Sequence, residues 1–212
     1  MALKANISDW AAWAPGITSR QDWKGYFSSR KSIDLESKPD VSALTPMFRR
    51  RLSFINRMIF AASRTLEDPS VLSYSPIVFA SRHGEIGLSI KLINSIINSS
   101  MVSPAGFSVS VHNSAAGMLS IHHKNTSAIT SIAAGEKSLK MGLVEAVSQV
   151  RQCKKVLMIY ADEKLPEIYS QFTSSSSFPA CLIMTITNDP ADKIIDTEGK
   201  CNFEEIVERL AH

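Results

Sequence analysis

The chain has 212 residues, a mass of 23.3 kDa and a net charge of +3, and 44% of its residues are apolar. A chain of this length can bury a full hydrophobic core, and the composition excludes collagen, coiled coils and disordered chains. The longest apolar runs are too short to span a bilayer and the N-terminus lacks a signal-peptide core, so we expect a cytoplasmic protein. The small net charge does not predict a nucleic-acid partner.

Positive charge is concentrated in the first third of the chain. Residues 1–64 carry a net charge of +6 and the remainder carries −3. A local excess of this kind is typical of a surface that meets one acidic partner.

The cysteines and histidines predict neither a disulfide nor a metal site. Cys153, Cys181 and Cys201 lack CxxC spacing, so we expect buried free thiols. His122 and His123 are adjacent, and on a helix their side chains would point about 100° apart and rarely share a metal. No GxGxxG or GxxxxGK[ST] motif is present, so no cofactor is predicted.

The N-terminal third is predicted to contain one long helix. Residues 1–44 are expected to be irregular. Thr45-Pro46 is a helix start, because threonine caps free N–H groups and proline suits the first helical position. The helix is expected to run to Asp68-Pro69. Its apolar stripe is Phe48, Leu52, Ile55 and Ile59, and its opposite face carries Arg50, Arg57 and Arg64.

The rest of the chain alternates predicted strands with helices. Strands are expected at 77–80, 126–132, 156–160 and 179–187, helices at 85–98, 113–123, 136–152, 165–172 and 202–210, and a loop at 104–111. In the helix at 85–98, the core-facing residues are expected to be Ile86, Ile90, Ile93 and Ile97. The alternation predicts an α/β fold with a mostly parallel sheet and helices on both faces.

Two stretches resemble the N-terminal half of β-ketoacyl synthases. In ITSIAAGEKSLKMGLVEAV, a strand leads into a helix where the synthases carry their nucleophilic cysteine. VSPAGFSVSVHNSAAGMLSI resembles the run in which Ser-Pro is followed by an Asn-x-x-Ala-Gly turn, and PMFRRRLSFINRM, IVFASRHGEI and VLMIYADEKLPEIY follow the family's order. The resemblance covers about residues 40–187. It implies that residues 1–212 form a single thiolase-like half domain.

Ala133 occupies the position that matches the nucleophilic cysteine. A methyl group cannot form a thioester, so the resemblance implies a subunit without synthase activity. The family's catalytic histidines belong to the C-terminal half, which has no counterpart here. The I-A-A-G run and the P-x-x-R-R-R-L-S run are similar to chain-length-factor subunits of type II polyketide synthases, in particular those of bacterial aryl polyene clusters.

The resemblance also implies a partner, an active β-ketoacyl-ACP synthase. Synthase subunits pair through the strand that precedes the nucleophile. Here that interface strand would comprise Thr126, Ser127, Ala128, Ile129, Thr130, Ser131 and Ile132. An uncharged edge strand without proline calls for a permanent partner. An interior strand is the alternative.

Two further surfaces follow from the same resemblance. Phe107 and Val109, in the segment that would reach the partner's acyl tunnel, would restrict the growing chain, although Phe107 could instead pack in its own core. Arg49, Arg50 and Arg57 match basic residues that meet the acidic acyl carrier protein, and a solvated helix face is the alternative.

Two other functions stay open at this point. An independent acyltransferase or thioester hydrolase would use Ser131, Cys153 or a serine within 173–177, or pair His83 with Cys153, although no G-x-S-x-G motif is present. A module that only binds the carrier protein is the third reading.

Overall fold

A single mixed sheet of six strands lies at the centre of the described chain. The structure is a computed structural model, and it describes residues 4–99, 101–172, 178–190, 193–196 and 201–212. The strands are β1 (Lys4–Trp13), β2 (Ile77–Ala80), β3 (Ile129–Ile132), β4 (Lys155–Asp162), β5 (Ala180–Thr187) and β6 (Lys193–Asp196). Their order across the sheet is β3-β2-β4-β5-β1-β6.

The strand directions correct one expectation. β3, β2 and β4 are parallel, whereas β5, β1 and β6 each run antiparallel to their neighbours. The prediction of a mostly parallel sheet is therefore wrong. It missed β1 and β6, and it took β5 for one more βαβ strand although β5 returns directly alongside β4.

Helices cover both faces of the sheet, as predicted. They are α1 (Arg20–Phe27), α2 (Pro46–Arg49), α3 (Phe54–Ser63), α4 (Val71–Tyr74), α5 (Ile86–Ser99), α6 (Pro104–Ser108), α7 (Ser114–His123), α8 (Ser138–Val150) and α9 (Phe203–Ala211). Two 3-10 helices span Gly135–Lys137 and Glu167–Phe172. One core cluster lies between the sheet and α1, α8 and α9, and the other lies beneath α3, α4 and α7.

The N-terminal segment contains a strand and a helix from Lys4 onward, although residues 1–44 were expected to be irregular. β1 pairs with both β5 and β6, and α1 follows it. Trp13 and Trp23 are fully buried, and the indole N–H of Trp23 donates to the carbonyl of Ala12 at 3.1 Å. The second half of β1 is buried at every position, so the sequence shows no polar alternation there.

A buried carboxylate fastens β1 to the connection between α3 and α4. Asp9 accepts hydrogen bonds from the backbone N–H groups of Glu67 and Asp68, at 2.9 and 3.0 Å. Arg20 forms ion pairs with both Asp9 and Glu67. The register of β1 shifts between Ile7 and Asp9, so this network lies at a β-bulge.

The predicted long helix is two helices with a break. Thr45 caps α2 with Pro46 at its first position, as expected. A second cap, Ser53, accepts from the N–H of Asn56 at 3.1 Å and begins α3. The guanidinium of Arg57 donates back to the carbonyls at the end of α2, so the break has its own hydrogen bonds.

Three smaller expectations also change. Residues 104–111 are not all loop, because Ser103 caps α6 with Pro104 at the first position. The helix expected at 136–152 is a 3-10 turn followed by α8. All three cysteines are free, but only Cys181 is fully buried. No helix within the described ranges is long and apolar enough to cross a membrane.

Candidate functional site

Three parallel strands end at one edge of the sheet, where the resemblance places the functional residues. β2 is followed by the loop 81–84 and β3 by Ala133, whereas β4 ends at Asp162 and is followed by Glu163. The carboxyl ends of parallel strands are the usual place for binding and catalysis in α/β folds.

The carboxylate of Asp162 locks the first of these loops. It accepts hydrogen bonds from Ser81 Oγ at 2.7 Å, from the N–H of Arg82 at 2.9 Å and from the N–H of His83 at 3.2 Å. Burial lowers the pKa of His83, and the Asp162 charge opposes this effect. Asp162 therefore serves to hold the backbone of the loop.

Ala133 lies in the predicted strand–turn–helix arrangement. The turn is closed by Ser138, whose Oγ accepts from the N–H of Ala134 at 2.9 Å and donates to the carbonyl of Gly135 at 2.7 Å. Gly135 has a φ of +58°, which favours glycine. Glu136 approaches Arg82 at 3.8 Å. Ala133 is exposed, and its methyl group offers no nucleophile.

The alternative nucleophiles are not assembled with a base. His83 follows β2, whereas Cys153 lies beyond the far end of α8, a 13-residue helix about 20 Å long. The Cys153 thiol donates to the carbonyls of Gln149 and Lys155, and burial raises its pKa. Within the described ranges, no histidine or carboxylate hydrogen-bonds to the hydroxyl of Ser131. The serines of 173–177 lie outside the described residues.

The predicted interface strand is an edge strand, but it is shorter than expected. β3 pairs with β2 alone among the described strands, so the interior alternative is wrong. The strand begins at Ile129, so residues 126–128 precede it. In this preceding stretch, Ser127 Oγ donates to the carbonyl of Tyr74 at 2.7 Å. The side chain of Ile129 is 37% exposed. The strand carries no charge along its length.

The backbone of β3 is hydrogen-bonded to β2 on one side, and its other side faces away from the sheet. The carbonyls of Ala128 and Ile132 accept from N–H groups at the two ends of β2. Alternate residues of a parallel strand face the same neighbour, so Thr130 also faces β2. Ile129 and Ser131 therefore direct their N–H and carbonyl groups away from the sheet.

An apolar surface that the sequence analysis missed lies on α5 and α6. Ile97 is 73% exposed and Phe107 is 65% exposed, so Ile97 does not face the core and Phe107 does not pack inside. Val109 is half-buried. α5 packs against α6, where Leu92 lies beside Gly106. We call this set the α5–α6 surface: Ile93, Ile96, Ile97, Met101, Phe107 and Val111.

The arginines do not form the single exposed face that was expected. Arg50 is exposed and Arg49 is half-buried. Arg57 is half-buried and donates to the carbonyl of Arg49 at 2.9 Å, so its placement on a free basic face is wrong. Arg64 pairs with Asp40 at 2.9 Å. Arg51 lies in the break after α2 and is exposed.

The histidine pair on α7 packs against aromatic rings. His122 lies 4.8 Å from Phe48 and His123 lies 6.3 Å from Phe60, measured between ring centroids. Across the described ranges, no three His, Cys, Asp or Glu side chains are grouped to hold a metal ion.

Comparisons with known proteins identify the family of the chain. Residues 22–206 match the family model described as "Beta-ketoacyl synthase, N-terminal domain". No curated protein matches significantly.

Solved structures with a similar fold include three that bear on function. The first is a ketosynthase (ApeO) in complex with its chain length factor (ApeC) from Xenorhabdus doucetiae, at 28% identity and a TM-score of 0.76 over 89% of this chain and 81% of that chain. The ishigamide ketosynthase/chain length factor has 17% identity and a TM-score of 0.72 over 90% and 64% of the two chains. A type II PKS acyl-carrier protein in complex with its ketosynthase (AntDE:AntF) has 10% identity and a TM-score of 0.69 over 92% and 67%.

These likenesses confirm the thiolase-like α/β fold. The segment shared with the first structure is a similar fraction of both chains, so the two chains have similar lengths. The family model spans most of the sequence. The chain therefore belongs to the β-ketoacyl synthase N-terminal-domain family.

Proposed function

We propose that this chain is a non-catalytic, chain-length-factor-like subunit that pairs with an active β-ketoacyl-ACP synthase and shapes its acyl tunnel. The pathway would be aryl polyene or related type II polyketide biosynthesis. The observation that carries the proposal is an uncharged edge strand, β3, that ends at Ile132, directly before Ala133. The chain offers a pairing edge where the synthases pair, and no nucleophile where they carry one.

The α5–α6 surface supports pairing with a permanent partner. Its six side chains are each about half exposed or more. Covering each one contributes on the order of 1 kcal/mol. α5 follows β2, the strand to which β3 pairs, so both features belong to neighbouring elements. Exposed apolar surface of this kind marks an interaction site.

Phe107 is the residue best placed to limit an acyl chain. It lies on α6, points away from the core and is capped into position by Ser103. Val109 is half-buried at the C-terminal end of α6, so we propose that Val109 supports the turn and that Phe107 meets the growing chain.

Carrier-protein contact is a second, weaker proposal. The exposed arginine at the α2–α3 break, Arg50, and its half-buried neighbour Arg49 remain candidates, whereas Arg57 is occupied by backbone carbonyls. Exposed charge pairs contribute about 0.2–1 kcal/mol each, so this surface would steer encounter more than hold the complex.

The edge strand allows a direct test of pairing. Ser131→Pro removes an outward N–H and leaves the β2 ladder intact, because proline is tolerated on the outward side of an edge strand. Co-expressed with an active β-ketoacyl-ACP synthase from the same organism, the wild-type chain is expected to form a one-to-one complex, measured by size exclusion with light scattering. Ser131→Pro is expected to stay folded and lose the complex.

Control variants decide between the readings. Ser148→Ala, on the exposed side of α8, should leave the complex intact. A folded Ser131→Pro chain that still binds the ketosynthase would refute pairing through β3. Turnover of an acyl thioester by the purified chain, abolished by Ser131→Ala or Cys153→Ala, would instead establish an independent enzyme.

A further inference from the structure

A buried carboxyl group joins the first turns of three helices. Glu85 immediately precedes α5 and is 3% exposed. Its Oε1 accepts from Ser53 Oγ at 2.8 Å, from Asn56 Nδ2 at 3.4 Å and from Ser114 Oγ at 3.3 Å. Ser53 caps α3 and Ser114 begins α7. One oxygen atom thus connects the starts of α3, α5 and α7.

The same anchor holds the end of the segment that carries Phe107. We call residues 103–114 the Phe107 segment. Next to Ser114, His112 Nε2 donates to the carbonyl of Ser81 at 3.0 Å. The His112 ring also packs on Gly84, where a Cβ would lie 3.0 Å from the ring, and on Phe79. The C-terminal end of the segment is therefore fastened twice, by His112 to the loop after β2 and by Ser114 to Glu85.

The charges around Glu85 leave its carboxyl without a cationic partner among the described residues. α3 contributes Ser53 and Asn56, and α7 contributes Ser114, all uncharged. The charged group that acts on it is Glu163, whose carboxylate accepts from the N–H of Gly87 at 2.6 Å. Burial raises the pKa of Glu85 to about 7, Glu163 adds to this, and the two serines oppose it. A neutral side chain at position 85 is therefore compatible with the fold.

We propose that Glu85 is a positioning residue, whose buried carboxyl oxygen holds the Phe107 segment in place relative to α3 and α5. This positioning role involves only contacts within the chain and does not require a partner. Its consequence for tunnel length rests on the proposed function. The acceptor oxygen carries the role, since three uncharged donors converge on it and no cation in the described part of the chain pairs with it. Glutamine keeps that oxygen, whereas leucine keeps the approximate volume and removes it.

Hydrogen exchange of the full chain tests the role directly. The amides to follow are those of Phe107, Ser110 and Ser114, which donate to backbone carbonyls within the segment. We expect Glu85→Leu to speed their exchange at least tenfold and Glu85→Gln to leave it within about twofold of the wild type. In addition, the protection factors of these amides, with the intrinsic pH dependence of exchange divided out, should change more between pH 5 and pH 8 in the wild type than in Glu85→Gln.

A milder pair of variants keeps the test decisive if Glu85→Leu does not fold. Ser114→Ala removes the link between Glu85 and α7 and leaves Ser53 and Asn56 bonded. Ser120→Ala is the matched control, since Ser120 Oγ bonds only within α7, to the carbonyl of Gly117 at 3.0 Å. Faster exchange of the Phe107 segment in Ser114→Ala and not in Ser120→Ala supports the proposal. Unchanged exchange in a folded Ser114→Ala chain overturns it.

The ketosynthase complex separates this inference from the proposed function. If Ser114→Ala loosens the segment and alters product length, both hold. If it loosens the segment while the product is unchanged, the positioning role stands and tunnel shaping by Phe107 is refuted.

Discussion

Glu85→Gln should flatten the pH dependence of stability. Burial raises the pKa of Glu85 from an ordinary 4.5 to about 7. A raised folded-state pKa means that the folded chain binds more protons than the unfolded chain between these two values. The free energy of unfolding therefore falls as pH rises from about 4.5 to about 7, and stays low above. At 1.36 kcal/mol per pKa unit, the loss is about 3 kcal/mol.

Urea denaturation at pH 5 and at pH 8 measures this effect. Subtracting the change seen in Glu85→Gln from that of the wild type removes the contribution of the groups that titrate alike in both chains. Because part of the loss precedes pH 5, we expect a difference of about 2.5 kcal/mol between pH 5 and pH 8. Glu145→Gln is the control, because Glu145 lies on α8, away from the Glu85 contacts, and accepts a hydrogen bond from the amide of Gln149. Its profile should follow the wild type. Parallel profiles for the wild type and Glu85→Gln would refute the reasoning.

Three further outcomes are expected. Gly142→Ala should destabilise the chain by about 1–3 kcal/mol in urea denaturation, because a Cβ would lie 2.5 Å from Met158 and 2.7 Å from Ala80. Gly117→Ala, with open space around it, should not. In the ketosynthase complex, Phe107→Ala should lengthen the polyene measured by mass spectrometry, and Ile168→Ala should not. Arg50→Glu should slow carrier-protein association several-fold at low salt in stopped flow, an effect lost at high salt.

The parallel half of the sheet was predictable because its signals are local. Ile77–Ala80 is a short apolar run between Ser75-Pro76 and a polar turn, and the strand has those bounds. β1 was not predictable in this way. It is buried along most of its length and contains Ala5, Ala11 and Ala12, so neither alternation nor β-propensity marks it.

Helix boundaries were missed where the correct signal was present. Thr45-Pro46 predicted the start of α2, and Ser103-Pro104 begins α6 by the same chemistry. The helix start at Ser53 was not predicted, because the apolar stripe continues across the break from Leu52 to Ile55. Periodicity records which side chains face the core and not whether the backbone between them is continuous.

The exposed apolar side of α5 could not be predicted from the sequence and became visible only in the structure. Its sequence, IGLSIKLINSIINS, has apolar residues on more than one side of the helix, so a core-facing stripe explains only some of them. Ile86 and Ile90 are half-buried, whereas Ile93 and Ile97 lie further along the helix and are exposed. Hydrophobic periodicity cannot distinguish a side chain that meets its own core from one that meets a partner.

The turn at Ala133 shows why a nucleophile turn can outlast its nucleophile. Ser138 holds the turn through two backbone hydrogen bonds, and the side chain at position 133 takes no part in either. Gly142 then lets α8 approach β2 and β4 more closely than any other residue would allow. The Ser138 hydrogen bonds therefore fix where β3 ends, and Gly142 fixes how closely α8 packs on the sheet. Neither depends on the side chain at position 133. Under the proposed function, an alanine at position 133 would remove the thiol chemistry without changing the geometry of β3, the proposed pairing edge.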